Sequence, residues 1–308
     1  METTACANCG TAMADRYCPE CGQKRFVETD RRFGHLLASF FEAATDLDGR
    51  FWRSLRALLF QPGRIARDYI DGARQRWMSP IALFLLANLL YFLMPTFTDL
   101  SLPLHDQIRG EVYREFAPSF CEAEETRWRC GTTGQLHSRL TEPLVRHRLQ
   151  TERERAAEAG REFSIERFAQ RYDARSGEIG KLLVILHVPF MALALMLAAW
   201  RRRRYFAEHF VVALTQLSFV LLFLPLVLHS VMALVSTLPW QWSPAMQLAL
   251  KLGVLALVLL YFALACRRCY DSRWWSAACQ AVVALGAFAL SSFTIYRAVQ
   301  FVLTIWLA

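Results

Sequence analysis

LLVILHVPFMALALMLAAW, residues 182–200, runs directly into four arginines, Arg201–Arg204. Its one ionisable side chain is His187. A helix needs about 20 apolar residues to cross the hydrocarbon core of a bilayer, so this stretch spells a membrane span with a charged stop. Four further runs have the same character: Ile81–Phe97, Phe210–Leu238, Leu248–Cys266 and Ser276–Tyr296. The first is short and calls for flanking anchors or a thinner bilayer. After Arg297 a second apolar stretch reaches Ala308, either extending a tilted helix or lying in the interface. The chain of 308 residues is 55% hydrophobic and 20% charged, a balance unusual for a soluble protein. The expected class is an all-α polytopic membrane protein with about five transmembrane helices. Residues 1–30 lack the apolar core of a signal peptide, so none is expected.

The net charge of +8 is unevenly placed. From residue 180 onward there are 10 basic residues and only two acidic ones, Glu208 and Asp271. The excess therefore marks helix ends rather than a groove for a polyanion. Short loops on the cytoplasmic side of a membrane are enriched in Arg and Lys. Arg74 and Arg76 precede the first run, Arg201–Arg204 follow the second, and Arg267, Arg268 and Arg273 follow the fourth. The uncharged loop 237–244 contains Trp240 and Trp242, the pattern of an aromatic belt at the opposite interface. Together these predict a cytoplasmic N-terminus, an extracytoplasmic segment 98–179 and an extracytoplasmic C-terminus.

The N-terminal end reads differently. Cys6-Ala-Asn-Cys9 and Cys18-Pro-Glu-Cys21 are two CxxC knuckles, each followed by glycine, Gly10 and Gly22. Two-residue spacing lets both thiolates of a knuckle reach one ion, and two knuckles complete a closed tetrahedral set. The expectation is structural Zn2+ on Cys6, Cys9, Cys18 and Cys21, with no open position for catalysis; an iron–sulfur cluster is less usual at this spacing. So short a module cannot build a hydrophobic core, which couples its folding to the metal.

The expected organisation is a zinc ribbon over 1–26, cytosolic amphipathic helices over 27–78 and a transmembrane domain over 79–308 with a helical insert at 98–179. Helical spacing of apolar residues runs through 35–60, with Gly49 a candidate interruption and Pro62-Gly63 a breaker. Residues 50–76 hold seven arginines against Asp68 and Asp71, which suits helices lying on an anionic leaflet. A solvated basic face or an ordinary flank of a span is the alternative. Glu28 and Asp30 dilute the basic residues that follow the cysteine module, so nucleic acid is disfavoured as a partner. The insert reads as helical from about residue 134 to 176, with breaks expected near Pro143 and Gly160.

Ionisable residues inside spans are functional candidates. His187 and His229 fall at similar depth from the same side, each near a proline, Pro189 and Pro225. They mark either a shared polar pocket or two ordinary interhelical hydrogen bonds. Glu208-His209 opens the third run and is the other candidate polar pair. Lys251 is read as snorkelling to the interface. Cys121 and Cys130 lie in the insert, where a disulfide and two free thiols are both open readings. Cys266-Arg-Arg-Cys269 has no second pair near it in sequence and reads as coincidence.

Three blocks carry a likeness to a family. They are CANCG…YCPECGQK, then QPGRIARDYIDGARQRWMSPIALFLLANLLYF, then KLLVILHVPFMALALMLAAWRRRRYFAEHFVVALTQLSFVLLF. The chain resembles the bacterial membrane-protein family DUF3667. That resemblance implies a multi-pass protein of the inner membrane with a short N-terminal zinc ribbon, and implies no activity. No Walker loop, GxSxG, HExxH or GxGxxG stands in a suitable context, so the reading leans away from an enzyme. The leading expectation is a binding or scaffolding protein whose ribbon and basic helices contact a cytosolic protein or anionic lipid. A transporter using the His187/His229 region and a membrane enzyme acting on a lipid or peptide are the rivals.

Overall fold

The structure, a computed structural model, describes residues 4–25, 49–93, 102–131, 133–202, 204–236 and 243–308. Two short antiparallel strands, β1 (Thr4–Ala5) and β2 (Ala12–Met13), come first, with Thr4 opposite Met13. The helices follow as α1 (Arg50–Phe60), α2 (Arg64–Ile70), α3 (Pro80–Leu93), α4 (Leu104–Gln107), α5 (Gly110–Phe116) and α6 (Pro118–Glu122). Then come α7 (Ser138–Glu158), α8 (Ile165–Leu183), α9 (His187–Ala198), α10 (Phe206–Ser236), α11 (Pro244–Tyr270), α12 (Trp274–Ser291) and α13 (Arg297–Leu307).

Four helical stretches are long and apolar enough to cross a membrane: Ile165–Ala198, Phe206–Phe223, Pro244–Tyr270 and Trp274–Leu307. α3 is a shorter apolar helix, and the rest of the first run lies outside the described residues. These match the five apolar runs and make this an all-α polytopic membrane protein. The chain divides into two compact units, one of Met1–Thr96 with His187–Phe288, the other of Phe97–Leu186 with Ala289–Ala308.

In the first unit α10 is central. Its apolar stretch is 72% buried, and α3 and α9 lie against it. α9 is apolar on every side, yet Val188, Met191, Ala192 and Leu195, at three- and four-residue spacing, are buried while Leu193 and Leu197 are exposed. On α11, apart from Lys251 and the polar residues near its ends, Leu248, Leu252, Leu255 and Leu260 are exposed and Val258 and Phe262 are buried. Helices apolar all round, with leucine on the open face, need hydrocarbon as solvent.

The second unit has its own core. Leu104, Ile108, Val112, Val145, Leu149 and Phe168 meet Phe301 and Ile305 of α13. The tail beyond Arg297 is therefore a core helix of this unit. Its polar contacts are specific: Gln300 Nε2 donates to Ser176 O at 2.9 Å and the Tyr296 hydroxyl donates to Gly180 O at 3.0 Å. A Cβ on Gly180 would stand 2.8 Å from that hydroxyl and from Gln300 Nε2, so a side chain there would displace both polar groups. Cys121 and Cys130 form a disulfide with Cα atoms 5.8 Å apart. Of the two expected breaks, Gly160 ends α7 region as a left-handed residue, whereas Pro143 lies within α7. A proline there removes one backbone hydrogen bond without stopping the helix when packing holds it, as the burial of Val145 and Leu149 does here.

Candidate functional site

The four N-terminal thiols form one cluster. Gly10 N–H donates to Cys6 O at 2.8 Å and Gly22 N–H donates to Cys18 O at 2.9 Å. Gly10 and Gly22 sit at φ 82° and 69°, left-handed backbone that a side chain would strain. The two knuckles are thus built alike, and each turns backbone amides toward its first sulfur: those of Asn8 and Cys9 reach Cys6, those of Glu20 and Cys21 reach Cys18. The Sγ atoms of Cys6, Cys9, Cys18 and Cys21 lie within 4.8 Å of one another, with Cys6–Cys21 at 3.6 Å and Cys9–Cys18 at 3.5 Å. A tetrahedral ion with metal–sulfur bonds of about 2.3 Å separates its sulfurs by roughly 3.8 Å, so this cluster could hold a metal ion.

The thiols differ in acidity. The Thr11 hydroxyl, 3.3 Å from Cys9 Sγ, and the Thr11 amide pull the Cys9 thiol down to about 6. At Cys18 the Cys21 amide lowers the pKa, but burial and the adjacent sulfurs prevail and push it up to about 11. Four sulfurs this close cannot all ionise unless a cation replaces the protons.

The module is tied to the chain that leads to the spans. Gln23 is buried and its Oε1 accepts from the Gln75 amide at 3.0 Å. From there α1, α2 and residues 71–79 form a collar against the end of α11. The Tyr261 hydroxyl donates to Leu58 O at 2.5 Å, Arg268 Nη1 to Pro62 O at 2.7 Å and the Cys269 thiol to Gly63 O at 3.4 Å. Gly63, at φ 74°, lies so close that a Cβ would stand 2.7 Å from the Ala265 backbone. Arg67 bridges Asp71 at 2.5 Å and Asp271 at 2.6 Å, and also reaches the carbonyls of Arg268 and Cys269. The Asp271 contact first, with Asp71 added, raises the Arg67 pKa further. Trp77 Nε1 donates to Asp68 at 2.8 Å and the Met78 amide to Ser54 Oγ at 2.9 Å, closing the collar on itself. Its outer face carries Trp52, Arg53, Arg56 and Phe60, all exposed.

Residues 48–92, which hold α1, α2 and α3, match the family model DUF3667, described as a protein of unknown function. Over that stretch the chain is similar to DUF3667. No curated protein and no solved structure matches it.

The remaining candidates fall at different places. His209 Nδ1 lies 2.8 Å from the Tyr270 hydroxyl, and Glu208 is buried with Arg204 at 3.4 Å. That pair belongs to the collar end of the spans, where Arg202 also donates to Asp271 O at 3.0 Å. The described partner of the His209 ring is a tyrosine hydroxyl. His187 is buried elsewhere on α9, its ring 4.6 Å from Phe288. The His229 side chain lies outside what is described, and with it the shared His187/His229 pocket.

Cys266 and Cys269, whose spacing reads as coincidence in the sequence, have defined places in the structure. Both are fully buried free thiols; Gln216 Nε2 donates to Cys266 at 3.4 Å and Cys269 meets Gly63 O. The three-residue offset that makes a CxxC places the two on neighbouring turns of one side of the helix, where Cys269 receives the Pro62-Gly63 turn and Cys266 meets α10. Nothing in the local sequence marks that turn as the partner.

Proposed function

We propose that this protein is a membrane-embedded binding platform, with zinc in the four-cysteine module and the collar resting on an anionic leaflet. The observation that carries the reading is the continuous chain of contacts from the cluster through Gln23 and Gln75 to a collar locked onto α11. A closed four-thiol set leaves no coordination position for substrate, so the metal serves to shape a surface. Trp52, Arg56 and Phe60 recur at four-residue spacing on one exposed face of α1, with Arg53 beside them. Aromatic rings and guanidinium groups on one face suit the headgroup region of an anionic membrane.

The orientation follows from the same chemistry. Arginine-rich short loops favour the cytoplasmic side for the chain ends they flank, and a disulfide between Cys121 and Cys130 favours an oxidising compartment for its own segment. This puts the protein in a plasma membrane with the cysteine module inside. A cytosolic protein binding the ribbon is compatible with the same platform; a transporter or an enzyme has no comparable support in the described spans.

The test uses full-length protein in nanodiscs, once in phosphatidylcholine alone and once with phosphatidylglycerol added. Amide exchange of residues 50–60 is expected to slow in the anionic discs, and Arg53→Gln with Arg56→Gln to abolish the difference. Equal exchange in both lipids defeats the leaflet assignment. Metal analysis showing less than about one zinc per chain defeats the zinc assignment.

A further inference from the structure

The first unit has a second feature, away from the collar. A groove of about 240 Å³ opens among α9, α10, α11 and α12. Of its ten lining residues, Lys251 alone is not apolar; Met191, Leu217, Val258, Phe262 and Phe288 are among the others. Leu255 on its rim is 45% exposed, so the groove faces the surrounding hydrocarbon. From Lys251 to Phe262 the wall follows α11 for about 16 Å, the scale of an acyl chain segment.

Lys251 stands about 10 Å along α11 from its start at Pro244. The acidic residues from position 180 onward are Glu208 and Asp271. Asp271 follows the far end of the same helix, about 30 Å away. Glu208 adjoins His209, whose ring meets Tyr270, and so lies at that far end too. Among the described residues from position 180 onward no carboxylate stands level with the ammonium, and a cation facing hydrocarbon is costly. Hydrocarbon walls with one cation near the mouth complement an amphiphile with an apolar tail and a negative head.

We propose that this groove binds one anionic phospholipid, its acyl chain along α11 and its phosphate paired with Lys251. A lysine that merely snorkels makes no distinction between lipids. The experiment is native mass spectrometry of the full-length protein in detergent, titrated with phosphatidylglycerol or phosphatidylcholine of identical chains. One phosphatidylglycerol is expected to bind at least ten-fold tighter than phosphatidylcholine. Lys251→Met removes the preference, Lys251→Arg keeps it, and Val254→Trp, which fills the groove, weakens both lipids. The Arg53→Gln/Arg56→Gln variant keeps the tight site, which separates this lipid from any held by the collar. Equal binding of the two lipids by the wild type overturns the proposal, as does an unchanged preference in Lys251→Met or retained tight binding in Val254→Trp. A preference lost in the collar variant and kept in Lys251→Met assigns the lipid to the collar and ends the groove proposal.

Discussion

Cys6, Cys9, Cys18 and Cys21 converge to within 4.8 Å as free thiols, while Cys121 and Cys130, nine residues apart, are covalently joined. The two regions solve one problem in different ways. Residues 4–25 have almost no core: the buried apolar group besides the cysteines is Met13. The segment around the disulfide sits against a core of large side chains, Tyr113, Phe116 and Phe168 among them. One region could hold an ion in place of a core; in the other the crosslink supports packing that already exists. The difference teaches where metal and where redox conditions act on this molecule.

The largest expected effect is on the first region. A strong chelator, or Cys9→Ser with Cys18→Ser, is expected to release the metal and unfold residues 4–25, because structural zinc supplies on the order of 10 kcal/mol or more to so small a module. Amide exchange of residues 4–25 reads the loss, and slow exchange there after complete demetallation breaks the contrast. Chelation should leave the second unit unchanged. Next comes Cys121→Ala with Cys130→Ala, expected to lower the stability of the second unit by about 2–3 kcal/mol for a loop of this length. The unit is expected to stay folded, with Leu149 and Phe168 still protected; global unfolding would show that its core depends on the crosslink as the thiol module depends on its ion.

Gly63→Ala tests the collar that carries the thiol module. It combines left-handed backbone, worth about 1–3 kcal/mol, with contact against the Ala265 backbone, which has no room to give. Faster exchange in residues 50–70 is expected, with metal content unchanged. The smallest effect concerns pH in the second unit. His137 is buried against Phe301, and burial, then the Arg297 guanidinium, lowers its pKa. A histidine whose folded pKa is depressed contributes stability above its unfolded value, about 6.5, and that contribution is lost as pH falls through the folded value. His137→Phe is therefore expected to make the second unit more resistant to acid than the wild type, read by thermal unfolding between neutral and mildly acidic pH. An identical acid profile for the two proteins counts against the assignment.

Much of this was legible in the chain. Span positions follow from runs of apolar residues, since the bilayer sets their length regardless of neighbours. The cysteine cluster follows from local spacing and the two glycines, because a knuckle closes within five residues. The collar was only half legible. Pro62-Gly63 announced a turn, but the Ala265 backbone that demands glycine lies about 200 positions away in sequence. Lys251 was visible as a charge in a span and invisible as part of a groove, since the walls come from four helices.

The sequence by itself determined the solvent of each segment: water for the thiol module, hydrocarbon for the runs ending in arginine. It also determined the chemistry of the four-thiol set. Only the tertiary structure decided that Cys269 faces the collar while Cys266 meets Gln216, that Cys121 pairs with Cys130, and that α13 completes the core built by residues 97–186. The reason is physical. Burial preference and ligand spacing are local properties of the chain, whereas which surfaces meet is settled by shape and hydrogen-bond matching between segments far apart in sequence.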